Sequence, residues 1–111
     1  MSSNIARVDA IRSLGFASIS GTYAAVGTAF GHAMRIIRVI NATNGDMFFS
    51  FDGTTNNLFL PANSFVLYDI ASDDDPTDQF RLSKGTQMYV KQSTVATSGS
   101  VYIEAIYGQG E

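Results

Sequence analysis

The stretch MFFSFDGTTNNLFL, residues 47–60, decides which fold this sequence specifies. It opens with the alternating apolar run 47–51 and closes with the apolar run 58–60. Between them lies the polar segment 52–57, DGTTNN. Glycine readily adopts a positive φ, and Asp and Asn side chains bond to nearby backbone groups, so such a segment favours a turn between two strands. We therefore predict a β-hairpin and expect Gly53 to have a positive φ.

The same turn contains the residue types of a calcium loop, because carboxylate, hydroxyl and amide oxygens all ligate calcium. The helix-loop-helix calcium site, however, requires a glycine at position six and a glutamate at position twelve. Here Gly53 directly follows Asp52, and position twelve is Asn63. The spacing therefore favours a structural turn over a metal site.

The alternation continues on both sides of this hairpin. In 32–43, HAMRIIRVINAT, apolar residues lie on both faces: Ile36 and Ile40 flank Arg38 on one face, and Ile37 and Val39 share the other. A strand that is apolar on both faces is typical of the middle of a sheet. The predicted strands are 14–20, 32–43, 47–51, 58–60, 64–70, 80–82, 86–92 and 100–108, with 22–31 either strand or irregular chain.

Seven or eight short strands with turns between them are the pattern of a sandwich or barrel. We predict one all-β domain over residues 1–111, an antiparallel β-sandwich that is jelly-roll-like, with a short N-terminal arm at 1–12. The arm is either a short helix or extended, because Ile5, Val8 and Ile11 recur at three-residue spacing in a segment too short for a stable isolated helix.

Composition excludes several classes of function. The chain has 111 residues, a net charge of −3 and only 15% charged residues. Its lysines and arginines are scattered, whereas nucleic-acid binding requires clustered positive charge, so we expect no nucleic-acid partner. It has no cysteine, which excludes thiol chemistry and cysteine-ligated zinc. We find neither a signal peptide nor a membrane span, and we expect synthesis in the cytoplasm.

The sequence offers no catalytic set, and we predict a protein that is not an enzyme and has no cofactor. His32 is the single histidine, and no serine has the flanking glycines of a nucleophile elbow. Glu104 and Asp69 could be neighbours, as the paired carboxylates of glycoside hydrolysis are, but nothing in the sequence places them together.

Two segments are candidates for partner contacts. The acidic segment 71–79 contains Asp73, Asp74, Asp75 and Asp78. Such a run is most simply a solvated loop, although it could also face a basic partner or bind a divalent metal. The second candidate is the apolar side of the arm, formed by Ile5, Val8 and Ile11.

Four segments resemble a recurrent type of small tailed-bacteriophage virion protein: RIIRVINATNGDMFFSFDG, NNLFLPANSFVLYDIAS, LSKGTQMYVKQ and TSGSVYIEAIYGQGE. The resemblance covers about residues 35–110. It implies a β-sandwich structural component of the head, neck or tail of the virion, without indicating which. Our main hypothesis is a capsid decoration (cement) subunit, and the alternative is a head–tail connector, neck or tail component. The implied partners are further copies of the chain, as a homo-oligomer, and other virion proteins.

A second hypothesis is a carbohydrate-binding or host-recognition module. It would use surface tyrosines together with the turn 52–57. Sugar-binding modules commonly stack sugars on tryptophan, and this chain has none.

Overall fold

The computed structural model describes residues 6–69 and 83–108. Two antiparallel sheets pack face to face, which confirms the predicted β-sandwich. A single 3₁₀ turn, Phe16–Ser18, interrupts the described strands. The strands are β1 (Ala6–Val8), β2 (Arg12–Gly15), β3 (Ala24–Ala25), β4 (Met34–Thr43), β5 (Met47–Ser50), β6 (Leu58–Leu60), β7 (Ser64–Asp69), β8 (Tyr89–Gln92) and β9 (Gly99–Gly108).

The strand order is that of a jelly roll. The larger sheet runs β1-β9-β4-β7, with β2 also paired to β9, and the smaller sheet runs β3-β8-β5-β6. The antiparallel pairs are nested: β5 with β6, β4 with β7, β3 with β8, and β2 with β9. The chain is thus one long hairpin rolled into two sheets, as jelly rolls are. The turn between β5 and β6, where the sequence argument began, is the tip of that hairpin.

Strand β4 lies in the middle of the larger sheet, between β9 and β7, as the sequence predicted. Ile37 and Val39 face inward and are fully buried, whereas Ile36, Arg38 and Ile40 face outward and are half-buried. The side-chain alternation of the sequence therefore corresponds to the two faces of this strand.

The core fills the space between the sheets. Each long strand contributes alternate side chains to it, and burying each large apolar side chain is worth roughly 1.5–3 kcal/mol. The fully buried apolar residues include Val26, Ile37, Val39, Met47, Phe49, Val90, Val101 and Ile103.

A buried polar network closes one end of the core. The Asn41 amide donates to the carbonyls of Gly45, Leu60 and Pro61 at 2.9, 3.0 and 3.1 Å. Its carbonyl oxygen accepts from the Thr43 hydroxyl at 2.7 Å. This one side chain ties β4 to the following turn and to the end of β6.

The structure differs from the sequence prediction where small residues dominate. The expected strand 14–20 is the short β2 followed by the 3₁₀ turn. The segment 22–31, expected as either strand or irregular chain, is mostly irregular, with Ala24–Ala25 as its strand. Gly, Ala and Ser side chains offer little surface to pack on a pleated sheet, so the chain is held instead by the buried Val26 and Phe30. The expected strand 80–82 lies outside the described residues.

The turn 44–46 connects β4 to β5. Its residues have no positive φ, although Asn44-Gly45 favours one. Gly45 is needed for space, because a Cβ there would lie 2.7 Å from the carbonyl oxygen of Thr94.

Candidate functional site

The structure places the described part of the N-terminal arm along the larger sheet. Residues 6–8 are extended and pair with β9 as strand β1. Val8 is 79% exposed and Ile11 is 56% exposed. Ile5 and the four acidic-loop residues Asp73, Asp74, Asp75 and Asp78 lie outside the described residues, so their role in partner contact stays a prediction.

Val8 and Ile11 belong to a larger surface, which we call the outer apolar face. It is the side of the larger sheet that points away from the core. Phe65 and Leu67 are 60% and 56% exposed there. The face consists of Val8 and Ile11 at one margin, Ile106 on β9, Ile36 on β4, Phe65 and Leu67 on β7, and the pair Arg38–Glu104 at its centre.

These side chains surround a shallow groove of about 440 Å³. Strand register explains why they meet. Val8 is the Cα partner of Ile106, and Arg38 is the partner of both Leu67 and Glu104. Directly opposed residues of paired strands point to the same face of a sheet. The groove is therefore a consequence of the jelly-roll order, which places β9 and β4 between the first strands and β7.

The charged pair at the centre is well formed. The Nε of Arg38 donates to the Oε1 of Glu104 at 2.7 Å, and the Nη2 of Arg38 lies 2.6 Å from the same oxygen. The guanidinium carbon also lies 5.6 Å from the centre of the Phe65 ring. Both side chains are about two-fifths exposed. The apolar face thus carries one positive and one negative group side by side and no net charge at its centre.

Arg12 holds in place the margin of the outer apolar face from which Ile11 projects. This arginine is buried, and its guanidinium donates to the carbonyls of Thr28 and Ala29 and to the carboxylate of Asp9. It also lies 4.7 Å over the ring of Phe30. Burial alone would raise the pKa of Asp9, but hydrogen bonds from Arg12 and the backbone, together with the Arg12 and His32 charges, hold that pKa below its usual value. A buried anchor at Arg12 therefore leaves Ile11 facing outward.

The turn 52–57 is held by its own hydrogen bonds. The Oδ1 of Asp52 accepts from the Ser50 hydroxyl and from the backbone of Thr54 and Thr55, all at 2.7–2.9 Å, and its Oδ2 accepts from the Thr55 hydroxyl. The Thr55 and Thr54 backbone bonds, followed by the Ser50 and Thr55 hydroxyls, lower the pKa of Asp52 far below its usual value. Gly53 has φ 84°, as expected. The carboxylate is already satisfied, which favours the structural turn.

Two tyrosines lie beside this turn on the outer side of the smaller sheet. The Tyr23 hydroxyl donates to the Asn56 side chain at 2.5 Å, and the Tyr89 ring lies against Gly53. The ammonium group of Lys91 lies 4.9 Å over the Tyr23 ring. Burial, followed by the charge of Asp52, raises the pKa of Tyr23. These contacts form a patch of aromatic and cationic side chains rather than an exposed aromatic surface on which a sugar ring stacks.

The candidate catalytic residues are not assembled into a site. Glu104 bonds Arg38, and strand β4 separates it from Asp69 on β7. His32 stacks on Tyr107 with ring centres 3.7 Å apart. Within the described ranges no three His, Asp or Glu side chains are grouped as a metal site. Nor do residues 6–69 and 83–108 contain a helix of the length and hydropathy that a membrane span requires.

Phe65, Leu67 and Ile106 belong to the outer apolar face, but the sequence interpretation singled out none of them. Phe65 and Leu67 alternate with Val66 and Tyr68, so both faces of β7 are apolar, and that pattern could have suggested a surface covered from outside. The pairing of Arg38 with Glu104 gave no local signal, because 66 residues separate them in sequence.

The comparisons with known proteins identify no relative. No family model matches the chain, and no curated protein or solved structure matches it.

Proposed function

We propose that this protein is a structural subunit of a bacteriophage particle, of the capsid-decoration type, and that it acts through protein–protein contacts. The observation that carries the proposal is the outer apolar face, where four large apolar side chains are more than half exposed on one side of a sheet. Contiguous exposed apolar surface marks sites where proteins associate. A rigid sandwich with one such face suits a subunit that is used repeatedly in an assembly.

Two further observations support the assignment to a bacteriophage particle. The resemblance over residues 35–110 is to virion proteins, and jelly rolls are common in viral capsid domains. Fold alone does not determine function, since lectins use the same architecture. Position within the particle remains part of the proposal, with neck, connector or tail as the alternatives to the capsid surface.

The test is to look for the chain in purified particles. Virions produced by the phage or prophage that encodes the chain would be banded by density and digested for mass spectrometry, and labelled antibodies would locate the chain on them. We expect stoichiometric recovery and labelling of the head. Absence of the chain from intact particles would overturn the proposal.

A paired variant tests the proposed surface. Leu67→Glu places a charge on the outer apolar face and should abolish incorporation. Phe59→Glu is the matched control, because Phe59 is 46% exposed on the outer side of the smaller sheet. Both variants should fold. Equal incorporation of the two variants would show that the outer apolar face is not the contact surface.

A second candidate function is glycan binding at the patch formed by Tyr23, Tyr89 and Lys91 beside the turn 52–57. This function is favoured because two of the five tyrosines, Tyr23 and Tyr89, contact this turn. Wild type and Tyr23→Ala would be compared on a glycan array. Binding that Tyr23→Ala abolishes would support it, and no binding at millimolar sugar would remove it.

A further inference from the structure

We propose that the outer apolar face binds a second copy of this chain, so that two subunits pack face to face about a two-fold axis. This inference rests on the proposed function, because it names the first partner of the proposed assembly surface. In the dimer, Arg38 of each subunit contacts Glu104 of the partner subunit.

The arrangement of charge favours a second copy over an unrelated partner. Arg38 and Glu104 are Cα partners on the adjacent strands β4 and β9. Consider a two-fold axis that lies in the interface, runs parallel to the strands and passes between β4 and β9. Rotation about this axis places β4 of one subunit over β9 of the other. It sets each positive group over a negative one, which is the self-complementarity that a two-fold interface requires.

The charged groups have atoms left for this contact. Both short contacts of Arg38 fall on Oε1 of Glu104. Nη1 of Arg38 and Oε2 of Glu104 take no part in either contact. Arginine has five N–H donors and a carboxylate has two acceptor oxygens, so each can hold its own partner and one from the facing subunit.

The apolar residues match under the same rotation. The axis exchanges β4 with β9 and exchanges β7 with the margin that carries Ile11. Ile36 then faces Ile106 of the partner subunit, and Leu67 lies near Ile11 of the partner subunit. Apolar side chains surround the charges, which is the environment in which a charged pair fixes the orientation of an interface.

The size of the face suits a dimer. Strands β4 and β9 have ten residues each, and four strands lie side by side. At about 4.8 Å between strands and about 3.3 Å per residue, the face spans up to roughly 600 Å² of flat area before side-chain relief is added. A standard interface buries about 800 Å² of accessible surface per partner, which is comparable.

A charge-swap experiment tests the pairing. Arg38→Glu gives a face with two negative groups, and Glu104→Arg gives a face with two positive groups. Sedimentation equilibrium would measure each variant alone, the two mixed in equal amounts, and the wild type. We expect a wild-type dimer, a dissociation constant raised at least about tenfold for each variant alone, and recovery of a dimer in the mixture.

Recovery on mixing is the decisive outcome, because charges that act only within one chain would not be repaired by a second variant. Circular dichroism melts would confirm that both variants are folded, as expected for exposed charges. Three results would each overturn the inference. The first is a wild type that stays monomeric at about 100 μM. The others are variants that dimerise as the wild type does, and a mixture of the two variants that stays monomeric.

Failure of the proposed dimer can be distinguished from failure of the proposed function. A chain that is monomeric in solution but present in virions overturns only the dimer. A chain that dimerises through Arg38 and Glu104 but is absent from virions overturns only the phage assignment.

Discussion

At the scale of single residues, the described chain is held by a few polar side chains that each satisfy several backbone groups. Asn41 joins three carbonyls around the buried end of the core, and Asp52 organises the tip of the hairpin. The sequence showed that Asp52 belongs to a turn, because its neighbours are turn residues. It did not show that Asn41 is buried, because the carbonyls it bonds come from segments up to 20 residues away.

Replacing Asn41 tests the buried network. Asn41→Ala leaves three carbonyls without their amide donor, and we expect it to lower the free energy of unfolding by roughly 2–4 kcal/mol. Asn56→Ala is the matched control, because its exposed side chain accepts one hydrogen bond, from Tyr23; we expect its cost to be below about 1 kcal/mol. Urea unfolding measures both. Equal effects would mean that the network contributes little.

The lowered pKa of Asp52 predicts how stability depends on pH. The folded state holds this carboxylate ionised below its usual pKa of 3.8. A lowered folded-state pKa adds stability above the unfolded pKa, and this stability is lost as the pH falls towards the folded pKa. We expect the difference in melting temperature between wild type and Asp52→Asn to be largest at neutral pH. It should shrink as the pH falls below 3.8. A difference that does not change with pH would contradict the prediction.

At the scale of strands, alternation predicted β4, β5, β7 and β9 because large apolar side chains mark their faces. It failed at 14–20, and it left 22–31 open between strand and irregular chain, because the side chains of both segments are small and tertiary contacts decide the conformation. The buried Arg12 belongs to the same failure, because a charged residue in a short terminal segment suggests solvent rather than a contact with backbone carbonyls.

Gly99 allows β9 to approach β4 closely, and replacing it tests whether this close approach is needed. It has φ 93° at the start of β9, and a Cβ there would press on the carbonyl oxygen of Ala42 and lie 2.8 Å from Thr43 Cα. We expect Gly99→Ala to cost more than about 3 kcal/mol.

Gly85→Ala is the control for backbone strain alone. Gly85 has the same φ of 93°, but nothing lies within 4 Å of its added Cβ. We expect a cost of about 1–2 kcal/mol there. Similar melting temperatures for the two variants would show that the close approach of β9 to β4 is not needed.

At the scale of the whole molecule, the sequence predicted a jelly-roll-like sandwich from the number and spacing of its strands. Strand order needed more than spacing, because β9 contacts residues from β1, β2 and β4 that are far away in sequence. The outer apolar face exists only through that order, which is why single-strand patterns pointed to Val8 and Ile11 but not to the charged pair beside them.

The nested pairing predicts where folding begins. The pair β5–β6 closes the shortest loop, so we expect it in the transition state, with β2–β9 forming late. Leu58→Ala, on β6, should mainly slow refolding, whereas Val101→Ala, on β9, should mainly speed unfolding. Stopped-flow kinetics in urea distinguish these effects. The reverse assignment would show that folding starts at the outer pairs.

The place of β9 between β4 and the first strands has a consequence during synthesis on the ribosome. Residues 1–98 contain β4, β7 and the first strands, but the strand that joins them is still missing. A nascent or truncated chain that ends there lacks both Glu104 and Ile106, and its apolar residues are not yet held on one surface. Completion of β9 therefore completes the outer apolar face, so that the dimer proposed above can form only between chains that contain Gly99–Gly108.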